Sequence, residues 1–502
     1  MKKIVIGFLI CGILTFGAFA QDIANSDDEL FGVSTEDDMF GDDSFDDMFE
    51  DASISDEEAG DVSDIFGDKI VRAGGTISAS VDISSTWYDP LNSDNYEDSD
   101  FWLDGLEEFS GSPDLAASFF VDARPYDNLR GYASIDLGYP YAVSSMVTST
   151  GYDSSFNAIT SYGSVSLPNL DVSELFVDVA YNDNVSFRAG KHTVTWGTGY
   201  FYSPTSDIIN ASAIDVEDPD ETVDANINIR TQITFPGTQN CLWLYVVPEI
   251  DSDGDTQAQY TRFAGKYDFL VNDWELGLGA WAGYDDPLKA LFTASGSVID
   301  NSITVFGESV FSWGTDDEWD AIEDGDSDAS DFADLTPVFQ ATVGTMYTWD
   351  NDENNKTVTL SAQYLFDSNA GAKIEDYTSS EVFNPQHSLA FILSRGALFN
   401  NEDWSATLFG MGSINNSFDG QTAYGLAKAT VSYDIIDHVS ISAGPSFTWI
   451  GTDYSEYLKH SIADSYGITV NELETAYASE LSDYLNSNTA FTISVTIDDI
   501  DF

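Results

Sequence analysis

Cysteine is nearly absent from this 502-residue chain, which has only Cys11 and Cys241. Cys11 lies in an N-terminal apolar run that reads as removed on export. Cys241 is then alone, no intrachain disulfide can form, and hydrogen bonding and packing must hold the fold. Basic residues are scarce as well: 17 Lys and Arg face 87 Asp and Glu, a formal charge of −70. Such a surface cannot neutralise phosphates, which excludes nucleic acid as a partner. No later segment is apolar for the 18 or more residues that a spanning helix needs. The four histidines, His192, His387, His438 and His460, are far apart in sequence, and no G-x-S-x-G elbow, phosphate loop or H-E-x-x-H occurs. The chain therefore reads as a non-enzyme that needs no cofactor.

The first twenty residues have the three parts of a secretory signal: Lys2 and Lys3, an apolar core from Ile4 to about Phe16, and Ala18-Phe19-Ala20 before Gln21. Cleavage is expected after Ala20. Residues 21–68 contain no Lys or Arg and repeat a short unit: Glu29-Leu30-Phe31-Gly32, Asp38-Met39-Phe40-Gly41, Asp47-Met48-Phe49 and Asp64-Ile65-Phe66-Gly67. High like charge with little apolar content predicts a disordered tail. Three uses stay open: a solvated spacer, a linear motif for a periplasmic partner, and a polyanionic plug for whatever follows.

From Lys69 the texture changes to alternation. Val71, Ala73, Gly75, Ile77, Ala79, Val81 and Ile83 share one parity, and polar residues such as Arg72, Ser78 and Asp82 take the other. A period of two is that of a half-buried strand. Similar runs recur at Leu115–Ala123, Leu129–Leu137, Leu175–Tyr181, Ile227–Phe235 and Val358–Phe366, about 18 in all, each roughly the ten residues that cross a membrane as a tilted strand. Tight turns, as at Tyr126–Asn128, Asn182–Asn184 and Val271–Asp273, alternate with longer connections at Asp89–Asp114, Pro140–Asp171, Gly197–Asp224, Gly314–Thr336, Asp367–Gln386 and Gly451–Ser487. That asymmetry predicts an all-β fold: a transmembrane antiparallel up-and-down β-barrel of about 18 strands (16–18) over residues 69–502, with both termini periplasmic. Trp87, Tyr88, Trp196, Tyr200, Trp274, Trp313, Trp349, Trp404 and Trp449 fall near strand ends, where aromatic girdles belong. Thr469 and Glu472 form a capping box before Leu473, Ala476, Tyr477, Leu481 and Leu485, which predicts a short helix in the last outside loop. The parity of Phe491, Ile493, Val495 and Ile497 is opposite to that of Ile500 and Phe502, which predicts a bulge at Asp498-Asp499.

Charge is sorted by face. With the apolar parity turned to lipid, Arg72, Arg124, Arg130, Arg188, Arg230, Arg262, Lys266, Lys289 and Lys428 all point the other way; an Arg facing lipid at the midplane costs about 2–4 kcal/mol. Two interiors fit: a basic-lined pore, or a packed one in which these cations neutralise Asp82, Asp122, Asp136 and Asp178. Asp251, Asp253 and Asp255 crowd carboxylates as a calcium loop does, without the twelve-residue spacing of a helix–loop–helix site; solvated loop charge and bound Ca²⁺ are the two readings, and no other metal site is expected. The most specific pattern is Arg188-Ala189-Gly190-Lys191, Trp196-Gly197, then Ser203-Pro204-x-x-Asp207. It resembles a strand-and-loop segment of bacterial porin-like outer-membrane proteins, as does the terminal Phe502. The resemblance implies an outer-membrane location, recognition of the last strand by the barrel-assembly machinery, the lipid bilayer and small solutes as partners, and a folded loop around Pro204 and Asp207 that constricts the pore. The alternative is a non-conducting adhesin or structural protein that binds ligands through its long outside loops.

Overall fold

A computed structural model describes residues 70–500 apart from parts of the connections, of which the longest are 320–334, 350–356, 371–384 and 475–484, and apart from Asp498–Asp499. The signal sequence, the acidic tail, the candidate calcium loop at Asp251, Asp253 and Asp255, and Phe502 lie outside the described residues.

Eighteen strands follow one another: β1 (Ile70–Tyr88), β2 (Phe109–Tyr126), β3 (Leu129–Tyr152), β4 (Ala158–Asn182), β5 (Val185–His192), β6 (Asn226–Thr234), β7 (Cys241–Ile250), β8 (Thr256–Val271), β9 (Trp274–Ala282), β10 (Leu288–Val298), β11 (Ile303–Trp313), β12 (Pro337–Trp349), β13 (Val358–Asp367), β14 (His387–Arg395), β15 (Trp404–Ile414), β16 (Tyr424–Ile436), β17 (Val439–Ile450) and β18 (Asn488–Ile497). Each pairs antiparallel with the next, and β18 returns to β1 with Ala79 opposite Ile497 and Tyr88 opposite Asn488. The ring is thereby closed, with each strand flanked by two others, as a sheet in lipid requires.

Alternation sets the two faces. Ile77, Val81, Ile83, Leu115, Phe119, Val121, Leu175, Val177, Leu278, Phe292, Phe311, Val343, Leu389, Leu408 and Val431 are exposed outside, around the whole ring. So continuous an apolar exterior on a closed barrel is a membrane-spanning surface. No helix of the described residues is long and apolar enough to cross; the strands do.

The predicted bulge is visible from its flanks. Ile500 exchanges both backbone hydrogen bonds with Ile77, at 3.0 and 3.3 Å. The register set by Ala79 and Ile497 would instead bring residue 499 there, so one extra residue is taken up. The parity then flips, and Ile500 faces outward like Ile497.

Three expectations change. The segment Pro140–Asp171, predicted as a long loop, is mostly strand: β3 and β4 have 24 and 25 residues and pair as far as Tyr152 and Ala158. Trp196 and Tyr200, predicted for a girdle, belong to the β5–β6 connection, and Trp196 is buried in a cluster with inward-facing strand residues. The last outside loop contains two helical stretches. Of the helix expected after the capping box, Val470, Leu473 and Glu474 are helical, with the Leu473 amide donating to Thr469 O at 3.0 Å, while Glu472, Ala476, Tyr477 and Leu481 lie outside the described residues. An unpredicted helix, Thr452–Tyr466, precedes them.

Candidate functional site

The β5–β6 connection, residues 193–225, folds into the barrel. Its first leg is braced internally: the Val194 amide donates to Asn210 Oδ1 at 2.9 Å, Asn210 Nδ2 returns to Val194 O at 3.0 Å, and Trp196 Nε1 donates to Thr205 O at 2.5 Å. The Gly197 amide donates to Ser206 Oγ at 2.9 Å. Gly197 has no room for a side chain, because a Cβ would overlap Ser203 Oγ and stand 2.6 Å from Glu308 Oε2.

The connection is then held by the wall. Lys266 Nζ on β8 donates to Trp196 O at 2.5 Å. Glu308 on β11 accepts from the Thr198 amide at 3.2 Å and from the Thr205 hydroxyl. Gln363 on β13 collects three amides on its Oε1, from Tyr200 (3.0 Å), Phe201 (2.8 Å) and Tyr202 (3.4 Å), while its Nε2 donates to Tyr202 O and Thr342 Oγ1 at 2.6 Å each. Phe201 ends in an apolar nest of Ala390 and Ile392 on β14, Phe409 on β15 and Leu426 on β16. In a ring of 18 strands β14 stands opposite β5. The connection therefore crosses the full bore. Ile209, Val194 and Trp196 pack meanwhile on Tyr245, Val247, Trp281, Leu291 and Val310 of β7 and β9–β11.

Of the two residues expected to begin this loop, Pro204 is buried within it. Asp207 continues it, with its amide donating to Ser203 O at 2.9 Å. Burial, and then the nearby Glu308, push the Asp207 carboxyl up to about 7, against a backbone hydrogen bond from Ile214. At the outer end the Thr452–Tyr466 helix stacks Tyr454, Leu458 and Ile462 on Tyr424 and Ile450 of the inner rim, together with Leu473 and Leu485.

The nine cations expected to point inward lie on strands at positions opposite in parity to the exposed apolar residues, and Arg124, Arg130, Arg188, Arg262 and Lys266 form ion pairs. Arg124 and Arg130 meet Asp122 at 3.3 and 3.1 Å; Arg130 and Arg188 meet Asp178 at 3.7 and 2.7 Å. The Arg188 guanidinium lies 4.0 Å over the Phe176 ring and Arg230 lies 5.2 Å over Trp243. Farther round, Arg262 pairs with Glu249 at 2.6 Å and with Asp286, and Lys266 with Asp268 at 2.9 Å. Arg72 stands opposite Asp122 in the β1–β2 register, Lys289 opposite Ser312, and Lys428 opposite Phe409 and Ser446. Lys428 is buried. In the Arg124–Arg130–Arg188 group the acids sit behind the cations: the Asp178 and Asp122 side chains are 1% and 9% exposed, against 13–20% for the arginines. Among the described residues no three His, Cys, Asp or Glu gather as a metal would need.

Glu308 and Gln363 were not singled out in the sequence. The available signal was apolar residues on both faces of one strand, as in Phe306, Val310 and Phe311 of β11 or Ala390, Ile392 and Leu393 of β14. A strand dry on its inner face has something lying on it, and a polar residue in the middle of that face is what binds the cover.

No family model matches the chain, and no curated protein matches it. Solved structures do. OccAB4 of Acinetobacter baumannii is 8% identical over 86% of this chain and 98% of its own, with a TM-score of 0.43. OccK11 (OpdR) of Pseudomonas aeruginosa is 6% identical over 86% and 96%, at 0.42. OpdK of Pseudomonas aeruginosa, solved with vanillate, is 6% identical over 86% and 99%, at 0.42.

Proposed function

We propose that the chain is an outer-membrane channel for small solutes, narrowed by its β5–β6 connection and basic along one inner wall. The observation that carries this is the crossing of the bore by residues 193–225, seated on Glu308, Gln363 and the β14–β16 nest. A protein acting only through its outside loops has no use for a segment braced across its interior. The basic wall is formed by β2, β3 and β5, where guanidinium groups stand in front of buried carboxylates, so a passing solute meets positive charge first. Rings or walls of charge in a low-dielectric bore bias which ions enter.

The test is conductance of the purified, refolded protein in planar bilayers across a KCl gradient. The reading expects unitary steps and a reversal potential that favours chloride, reduced in Arg130→Gln and Arg188→Gln. Conductance no greater than that of the bare bilayer would overturn the channel and favour a surface protein. Steps with cation preference would overturn the basic wall alone.

A further inference from the structure

The connection between β1 and β2 contains a short helix, α1 (Ser99–Glu107), and its position is unusual. Odd-numbered residues of β1 face outward: Ile77, Val81 and Ile83 are 45–47% exposed. Trp87 continues that parity yet is only 9% exposed. The cover is α1. Trp87 Nε1 donates to Trp102 O at 3.2 Å, the two indoles stand 5.7 Å apart at 46°, and a Cβ on Gly105 would run into the Trp87 ring. The helix thus lies on the outside of the barrel, at the end where the outer loops are.

Its free surface is apolar. Leu103 and Leu106 are 57% and 58% exposed, Trp102 is partly exposed beside them, and Leu91 and Phe109 flank the helix, equally open. Asp100 marks another, polar side. The patch also continues a surface already described. In register just below Trp87, Ser85 stands between Phe109 on β2 and Phe491 on β18, both outward and exposed. These two Phe rings cap the apolar belt at its outer rim, and α1 begins where they end.

We propose that α1 is an interfacial anchor, which inserts Trp102, Leu103 and Leu106 into the outer edge of the surrounding lipid and extends the belt on the β1–β2 side. An amphipathic helix seats its apolar face about 5–10 Å into the headgroup–acyl boundary, the depth at which the rim aromatics place this one. The occupant is lipid because the patch is continuous with the lipid-facing belt; this rests on the membrane-channel reading above. The anchor also fixes the angle at which the β1–β2 connection leaves the rim.

The test uses the full-length chain with Cys11→Ala and Cys241→Ala and single replacements Leu103→Cys, Leu106→Cys, Val81→Cys and Asp100→Cys, each carrying a bimane label. Each protein is refolded into phosphatidylcholine vesicles brominated near the top of the acyl chains. The proposal expects quenching and a blue-shifted emission at 103 and 106, several-fold stronger than at 100, and quenching at 81 as the belt control. Quenching at 81 without quenching at 103 or 106 overturns the anchor and leaves the barrel in the membrane. No quenching at any position overturns the membrane reading and the anchor with it. Absent quenching at 103 in the labelled protein, together with an oxidant-dependent disulfide between two copies of the unlabelled Leu103→Cys protein, overturns lipid in favour of a second copy of the chain.

Discussion

Gln363 Oε1 accepts three consecutive amides, and no other single side chain described here holds so much of the inner loop. A buried amide left without an acceptor costs about 1–3 kcal/mol. Gln363→Leu keeps the volume and removes the acceptor, so it is expected to loosen Tyr200–Tyr202 without opening the barrel. Limited proteolysis in vesicles should show faster cleavage within 193–225, with the heat-modifiable gel shift of the folded barrel unchanged; an unchanged cleavage rate would show that Phe201 and its apolar nest suffice. Asp207 makes the same loop sensitive to pH. Undocked in water, its carboxyl has an ordinary value of 3.8; docked beside Glu308, it is held at about 7. The docked state therefore keeps a proton that the undocked state has lost, and docking weakens as pH rises from near 3.8 to about 7. Single-channel conductance is expected to be lowest in acid, to increase as pH approaches 7 and to level off above it. Asp207→Asn should stay in the low-conductance state throughout, and a step that persists in Asp207→Asn would place the titrating group elsewhere.

At the scale of the element, the proposed channel is narrowed by the β5–β6 connection, so removal of that connection has a definite sign. Replacing residues 200–217 by a short Gly/Ser linker removes Phe201 from β14–β16 and frees Glu308 and Gln363. Unitary conductance is expected to rise several-fold, and an unchanged value would mean that the narrowest point lies at another level. Which elements could be read from the chain follows from what each must satisfy. Lipid imposes apolar alternation on one face and forbids charge there, so the strands and their parity were legible in residues such as Ile77, Val81 and Ile83. The outer half of β3 and β4 was not. Between Pro140 and Asp171 the strands run in Ser, Thr, Gly and Tyr, because a ladder beyond the lipid has no reason to alternate. Trp196 was misplaced for a related reason: an aromatic near a strand end serves an interface girdle or an inner cluster equally well, and only the tertiary path separates the two. The Thr452–Tyr466 helix did leave a mark, with Tyr454, Leu458 and Ile462 four residues apart, beside the capping box that drew attention to the next turn instead.

Across the whole molecule, the ring depends on one contact that is distant in sequence. Every other strand pair joins neighbours along the chain, whereas β1 and β18 bring together residues four hundred or more apart, and within that seam the Ser494 hydroxyl donates to the buried Asp82 carboxylate. Closing so long a loop has a high entropic cost and comes late, after local hairpins have formed. Until it closes, β1 exposes its ladder groups, which lipid cannot hydrate. Truncation before Asn488 is therefore expected to abolish the compact, heat-modifiable form and to leave aggregate, since β17 and β1 both become open edges. Among the described residues, truncation after Ile497 removes Ile500 and its two bonds with Ile77. It should still fold, with a lower midpoint in a heat-modifiability series. Equal midpoints for that truncation and the full chain would show that the register shift beyond Ile497 adds nothing to closure, and that the ten residues of β18 seal the ring unaided.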